Sequence, residues 1–266
     1  MRARFLKATV LAGAAWLMAG LATADSPYLK PNVHDATGRD HVTVEASFTE
    51  DIFQARVVMR SDFFHVVGPN GDVPIANVTY LRDMAVFEAE TPVDGTYRIS
   101  SGAREGRVGK MYRAADGSWK MDGEEDTPPP AGTPMVEVQS ITVAEVYVTK
   151  GAPSDGALQP TGRGLELVPL THPSDITAGE DATFRILFQG RPLAGGQITV
   201  FREAGQYDGK KIEAELVTDA DGRFTVRASD AGAYMTQIRY RTESPDGART
   251  PYRSYTHTLA FVAHAG

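Results

Sequence analysis

TAGEDATFRILFQGRPLAGGQITVF (residues 177–201), followed by VTDADGRFTV (217–226) and GAYMTQIRYR (232–241), decides the fold class. Successive side chains of an extended chain point to opposite faces. Phe184, Ile186 and Phe188 therefore share one side, as do Ile198 with Val200, Phe224 with Val226, and Tyr234 with Ile238 and Tyr240. Gly190-Arg191-Pro192, Gly195-Gly196 and Asp221-Gly222 separate these runs and supply the positive or preset φ values of tight turns. The pattern predicts an antiparallel β-sandwich, with a hairpin turn at Asp219-Ala220-Asp221-Gly222. Such a scaffold fixes no chemistry by itself.

Outward from this stretch the same grammar recurs. HVTVEASF (41–48) alternates Val42, Val44, Ala46 and Phe48 against Thr43, Glu45 and Ser47, and extended runs follow at ARVVMR, FFHVV, VTYLR, AVFEAE and GTYRIS. Short strands between turn residues predict an all-β unit. GRVGKMYRAADGSWK is ambiguous, because its basic residues recur every three positions while glycines interrupt it. Met121 to Thr133, with Glu124-Glu125-Asp126 and Pro128-Pro129-Pro130, reads as a solvated loop. MVEVQSITVAEVYVTK (135–150) is a long strand that the first sandwich needs for closure, so the boundary falls in the Gly-, Pro- and Ser-rich segment 151–163. The expected domains are 25–160 and 161–266, consecutive antiparallel β-sandwiches.

Residues 1–24 have the zones of a signal peptide: Arg2, Arg4 and Lys7, an apolar run from Ala8 to Ala22, then Ala22-Thr23-Ala24. Cleavage is expected after Ala24, leaving 242 of the 266 residues and, with three basic residues lost, taking the formal charge from −7 to −10. An acidic exported chain is a poor partner for nucleic acid. No later segment has the length and apolarity of a membrane span. The chain has no cysteine, which excludes disulfides, thiolate catalysis and lipid attachment through an N-terminal Cys.

The order of the three C-terminal runs, together with PYLKPN (27–32) and SITVAEVYVTKGAPS (140–154), resembles the DUF4198 family, whose members include proteins labelled nickel-uptake or NikM-like. Order and spacing carry the resemblance, since TDADGRF with a following Gly-x-Tyr also occurs in carboxypeptidase-regulatory and transthyretin-like sandwiches. The resemblance implies a Gram-negative periplasmic protein of two immunoglobulin-like or transthyretin-like sandwiches. It further implies a binding or accessory role in transition-metal uptake of nickel or cobalt type, with an envelope transporter or outer-membrane receptor as partner. Members often begin the mature chain with a His. Here Asp25 stands in that place, and a carboxylate suits harder ions than nickel or copper. The rival expectation is a structural or interaction module that docks onto an envelope complex and binds no metal.

The best local cluster of ligating residues is His34-Asp35-Ala36-Thr37-Gly38-Arg39-Asp40-His41, which mirrors His-Asp with Asp-His around a glycine. If Gly38 turns the chain, His34, His41, Asp35 and Asp40 converge as a site for Ni(II) or another divalent transition metal; the plain alternative is a polar loop entering a strand. His257 shares an apolar face with Tyr255, Leu259 and Phe261 and reads as a hydrogen-bonded core residue. His65, between Phe63 and Val67, reads the same way. His172 precedes Pro173 and is held extended, with nothing near it in sequence to complete a ligand set. Asp219-Ala220-Asp221-Gly222 lacks the further oxygens of a calcium loop, and Glu124-Glu125-Asp126 could bind cations only loosely. Arg104, Arg107, Lys110 and Arg113 form either an anion-binding stripe or exposed side chains. No Gly-x-Ser-x-Gly, His-Glu-x-x-His or phosphate-cradling loop occurs, so no enzyme is expected.

Overall fold

The computed structural model describes residues 25–123 and 128–266. The leader and the Glu124-Glu125-Asp126 run lie outside the described residues. The chain is nearly all β. Its first strands are β1 (Ser26–Pro31), β2 (His41–Thr49), β3 (Val57–Val58), β4 (His65–Gly68), β5 (Gly71–Val73), β6 (Ile75–Tyr80) and β7 (Ala85–Glu90). Next come β8 (Gly95–Ser100), β9 (Arg104–Arg113), β10 (Trp119–Met121), β11 (Val136–Lys150) and β12 (Leu165–Pro169). The remainder are β13 (Asp181–Phe188), β14 (Arg191–Pro192), β15 (Gln197–Arg202), β16 (Ile212–Val217), β17 (Arg223–Arg227), β18 (Gly232–Glu243) and β19 (Tyr252–Ala263). The one α-helix among the described residues, α1, is a single turn (Gly205–Asp208).

These strands make three sheets. One carries β1-β2-β7-β6 with β3 on β2; a second, of ten strands, runs β16-β15-β18-β19-β11-β8-β4-β5 with β9 on β11 and β10 on β9; the third carries β12-β13-β14 with β17 on β13. The ten-stranded sheet is the middle layer. Its even-numbered Ala144, Val146 and Val148 on β11, with Met235 and Ala260, pack against the β1-β2-β7 sheet. From its other face Tyr147, Tyr234, Ile238, Tyr255, Leu259 and Phe261 pack against the β12-β13-β17 sheet. Residues 144–149 of β11 are accordingly buried on both sides.

The alternating runs of the C-terminal part land as their periodicity predicts: Phe184, Ile186, Ile198, Val200, Phe224, Val226, Tyr234 and Ile238 all sit in one core. Phe184 stacks on Phe224 at 5.3 Å and meets Phe261 at 5.7 Å, and full burial of a phenylalanine contributes about 2 kcal/mol. Gln189 and Gly190, at φ 51° and 72°, form the two-residue hairpin loop between β13 and β14, whose paired positive φ values match strand twist. Asp219–Gly222 is a turn but not a hairpin, since β16 pairs with β15 in the middle layer while β17 pairs with β13 in the third. It carries the chain between layers.

Residue 160 lies between β11 and β12, and strands from both sides of it share the middle sheet. The joint is β11 against β19, paired in parallel from Val138–Tyr252 to Val146–Ala260. The N-terminal β1 crosses this joint. Thr258 Oγ1 donates to the Pro27 carbonyl at 2.7 Å, Gln237 Nε2 donates to Ser26 Oγ, and Lys30 Nζ pairs with Glu203 at 2.6 Å. Tyr28 and Leu29 are fully buried. Tyr28 donates to Glu45 Oε1 at 2.7 Å, and desolvation followed by that carboxylate raises its hydroxyl pKa.

Candidate functional site

At one end of the β11–β19 joint a cleft of about 240 Å3 opens, lined by the 34–37 loop, the end of β11, Gly151 and Pro153, Pro173–Asp175 and the end of β19. Residues of metal-ligating type line it from distant parts of the sequence: His34 and Asp35 on one wall, Asp175 and His264 on the other. Thr37, Thr149, Ser174 and Tyr147 complete its polar lining.

The backbone pins each of these segments. Asp35 bridges Thr149 and Thr177 bridges His264, both in parallel. Thr149 N donates to the His34 carbonyl at 3.0 Å, and Ala36 N donates back to Thr149 O at 2.8 Å. On the far wall His264 N donates to Ile176 O, and Ala178 N to His264 O. Gly151, at φ 59°, donates its N–H to Thr37 Oγ1 at 3.0 Å. That left-handed φ is what favours glycine at this corner, since the Asp94 carboxylate, 2.7 Å from where a Cβ would lie, belongs to a side chain able to swing aside.

His34 is half-buried, and its Nδ1 donates to the Tyr147 carbonyl at 3.3 Å. Desolvation first, then the charges of His264 and Lys30, push its pKa down to about 4 against the opposing pull of the Tyr147 carbonyl and Glu203. At neutral pH the ring is therefore uncharged with its proton on Nδ1. Nε2 is left with a free lone pair, the state in which imidazole ligates a metal. Asp35 accepts from Thr37 N at 2.8 Å, and bonding to Thr37 holds its carboxyl below the usual range. It is ionised.

The mirrored motif does not close into one cluster. Gly38 does turn the chain, at φ 76°, but His34 and Asp35 enter the cleft whereas Asp40 and His41 stay outside it. His41 starts β2 and donates Nδ1–H to Asp40 at 2.6 Å, with Glu88 3.9 Å from its Nε2. Hydrogen bonding to His41 lowers the Asp40 pKa. Among the described residues no three His, Cys, Asp or Glu side chains are grouped so as to hold an ion. Asp25, in the position of the family's terminal His, instead pairs with Arg56 at 3.0 Å.

Other histidines serve the frame. The Ser174 hydroxyl and backbone N–H, at 2.6 and 3.2 Å, both donate to His172 Nδ1, so Nε2–H donates to Thr96 Oγ1 at 3.0 Å. Thr96 Oγ1 also receives the Ser154 N–H at 3.1 Å and lies 3.2 Å from Thr149 Oγ1. This network clamps the Pro173–Asp175 turn onto β8 and β11 beside the cleft. His257 is a core residue: it is buried, and Nδ1 donates to Leu165 O at 2.8 Å. Its Nε2 lies 3.3 Å from Glu145, which Arg98 approaches at 3.9 Å. Burial would raise the Glu145 pKa, but hydrogen bonding to His257 and the charges of His257 and Arg98 outweigh it and hold the carboxyl low. The expectation for His65 fails. Its side chain is exposed, because alternation in β4 sends Val66 into the core, and Phe63 beside it is 60% exposed.

The remaining candidates carry no site. Asp219 Oδ1 accepts from Asp221 N and Arg223 N at 2.9 and 2.8 Å, so the carboxylate that might ligate calcium closes its own turn. Lys110 and Arg113, an odd number of positions apart on β9, face opposite sides of the strand. Arg104 stacks over Phe48 and Arg113 over Trp119, at 5.1 and 4.5 Å. Sequence reasoning missed His264 and Asp175. His264 follows the alternating run of β19 and Asp175 sits in the turn after His172, and no spacing connects either to residue 34.

Three stacked sheets with a ligand-sized polar cleft at their joint define an all-β sandwich protein. The chain belongs to the DUF4198 family, described as a domain of unknown function, whose model matches residues 22–242. No curated protein matches it. Among solved structures it is similar to the D0-D1 domain of intimin, at 12% identity over 88% of this chain and 96% of that one, with a TM-score of 0.22. An adhesin, InvE of Yersinia pseudotuberculosis, is 14% identical over 89% of this chain and 58% of the other, with a TM-score of 0.22. A two-domain fibronectin type-III segment of chicken tenascin is 13% identical over 91% and 99%, with a TM-score of 0.21.

Proposed function

We propose that this protein is a periplasmic binding or accessory component of transition-metal uptake, acting without catalysis, and that it holds its cargo in the cleft at the β11–β19 joint. One observation carries the reading: two imidazoles, His34 and His264, and two carboxylates, Asp35 and Asp175, line a single cleft on backbone-pinned segments. Imidazole nitrogen suits nickel, copper and zinc. The basic, apolar and small-residue zones of residues 1–24 support export, and an envelope transporter or outer-membrane receptor is the partner such a carrier would serve.

Titration calorimetry of tag-free mature protein with NiCl2, CuSO4 and ZnCl2 tests the site. The His34→Ala/His264→Ala variant should lose at least tenfold in affinity, and the Asp40→Asn/His41→Ala variant nothing. A parent protein that takes up none of these metals refutes the reading; equal loss in the second variant would return the site to the mirrored motif. Intact mass of the envelope protein should begin at Asp25, and a retained leader would refute export.

A second reading, an interaction module that binds no metal, is favoured by the edge of the middle sheet. There β16 pairs only with β15 among the described residues and exposes Ile212 and Val217, with Tyr207 87% exposed on the preceding α1. Unpaired edges are templates for strand addition. Val217→Lys would then abolish association with an envelope complex while leaving the cleft intact.

A further inference from the structure

We infer that the outer face of the third sheet carries a site for a phosphate group, gripped by Arg185 and Arg223. Side chains of β13 and β17 alternate between the core and this face, so Phe184 and Phe224 turn inward while Arg185 and Arg223 turn outward. The two arginines are register partners in the antiparallel pair, which sets their Cβ atoms about 5 Å apart. Like charges directly opposite one another destabilise a strand pair. Among the described residues no carboxylate stands within ion-pair distance of either. Arg227, further along β17, shows the ordinary arrangement: it pairs with Asp181 across the same two strands at 2.8 Å.

Arg185 supplies a second observation. Its Nε is shut off from solvent and has no hydrogen-bond partner, which in a folded protein calls for an acceptor. Arg98 and Arg202 also bury an unbonded Nε, but a carboxylate lies 3.9 and 3.6 Å from them. On its β12 side Arg185 faces Val168, and Leu187 follows on its own strand; both are apolar and buried. Glu166, diagonal to it on β12, commits both carboxylate oxygens to Thr161 and Gly162, and Asp219 is committed to the backbone of Asp221 and Arg223. The polar side of Arg185 is therefore the β17 side, where the Thr183 and Thr225 hydroxyls lie 3.3 Å apart. One hydroxyl donates to the other, which leaves one proton to give outward. Two guanidinium forks and a hydroxyl serve more than two oxygens and carry a double positive charge. A phosphate dianion matches on both grounds, whereas a carboxylate, with two oxygens and a single charge, leaves one arginine uncompensated. Neither arginine lines the cleft, so this site is independent of the one proposed there.

Titration calorimetry of tag-free mature protein at constant ionic strength tests the site, using sodium phosphate, sodium acetate, and vesicles of phosphatidylcholine with and without phosphatidic acid. A phosphate form should bind at least tenfold tighter than acetate, and Arg185→Gln/Arg223→Gln should erase the difference. Arg223→Gln alone, at an exposed strand position, keeps the fold and should weaken phosphate binding severalfold, while Arg227→Gln, on the same face but already paired, should change nothing. The two phosphate sources separate in the same experiment. Binding of free phosphate without vesicle binding assigns a soluble phosphate; binding to the phosphatidic acid vesicles that Arg223→Gln abolishes assigns a lipid headgroup. Acetate binding as tightly as phosphate, an equal loss in Arg227→Gln, or no binding of either phosphate source overturns the inference.

Discussion

His34 shows how one residue acquires a property from surroundings that its sequence neighbours do not supply. In an unfolded chain its pKa is near 6.5; in the folded protein burial among Lys30, Glu203, His264 and the Tyr147 carbonyl sets it to about 4. The unfolded state therefore takes up a proton below about pH 6.5 that the native state refuses until about pH 4, so stability falls as pH drops through that window. A shift of this size corresponds to at most about 3 kcal/mol. In metal-free buffer, the urea midpoints of the wild type and His34→Gln should coincide in their pH trend above pH 7 and diverge below it, the wild type losing more. Parallel profiles from pH 7 to 4.5 would show that the ring is not desolvated.

At the scale of elements, the turn between β16 and β17 is exacting. Gly222 sits at φ 72°, and a Cβ on it would lie 2.4 Å from the Ile186 carbonyl. Its own carbonyl accepts from Ile186 N at 2.7 Å, so the turn cannot retreat from β13. Gly222→Ala should cost about 2 kcal/mol or more, because it combines backbone strain with a clash against main chain. Thermal denaturation measures this, and a melting temperature within a degree of wild type would contradict the geometry. Strands buried on one face, such as β13 and β17, were legible from alternation alone. β1 was not, because SPYLKP carries two prolines and is buried on nearly every side, which leaves no period to read. His34 and Asp35 stood out in the sequence as candidates, and both line the cleft. The residues across the cleft, Asp175 and His264, are brought there by the parallel pairing of β11 with β19 and by the His172–Thr96 clamp, neither of which leaves a spacing to read.

At the scale of the molecule, the expected sandwiches 25–160 and 161–266 share their central layer. Each core takes side chains from the two faces of the same β11–β18–β19 strands, so loss of one core strips the sheet that supports the other. Calorimetric unfolding of residues 25–266 should show one transition with calorimetric and van't Hoff enthalpies in agreement. Two resolved transitions would mean that the halves are stable apart.

The parallel contact of β11 with β19 also has a consequence in time. The inner edge of β11, Val138–Val146, has its partner more than a hundred positions further along the chain, in Tyr252–Ala260. Contacts of such long sequence separation form slowly, and they leave hydrophobic strand edges open while a nascent chain waits. Residues 136–150 are therefore the segment a holdase chaperone or an off-pathway strand would capture during biogenesis. Hydrogen exchange pulsed during refolding should find the β11 amides among the last to become protected.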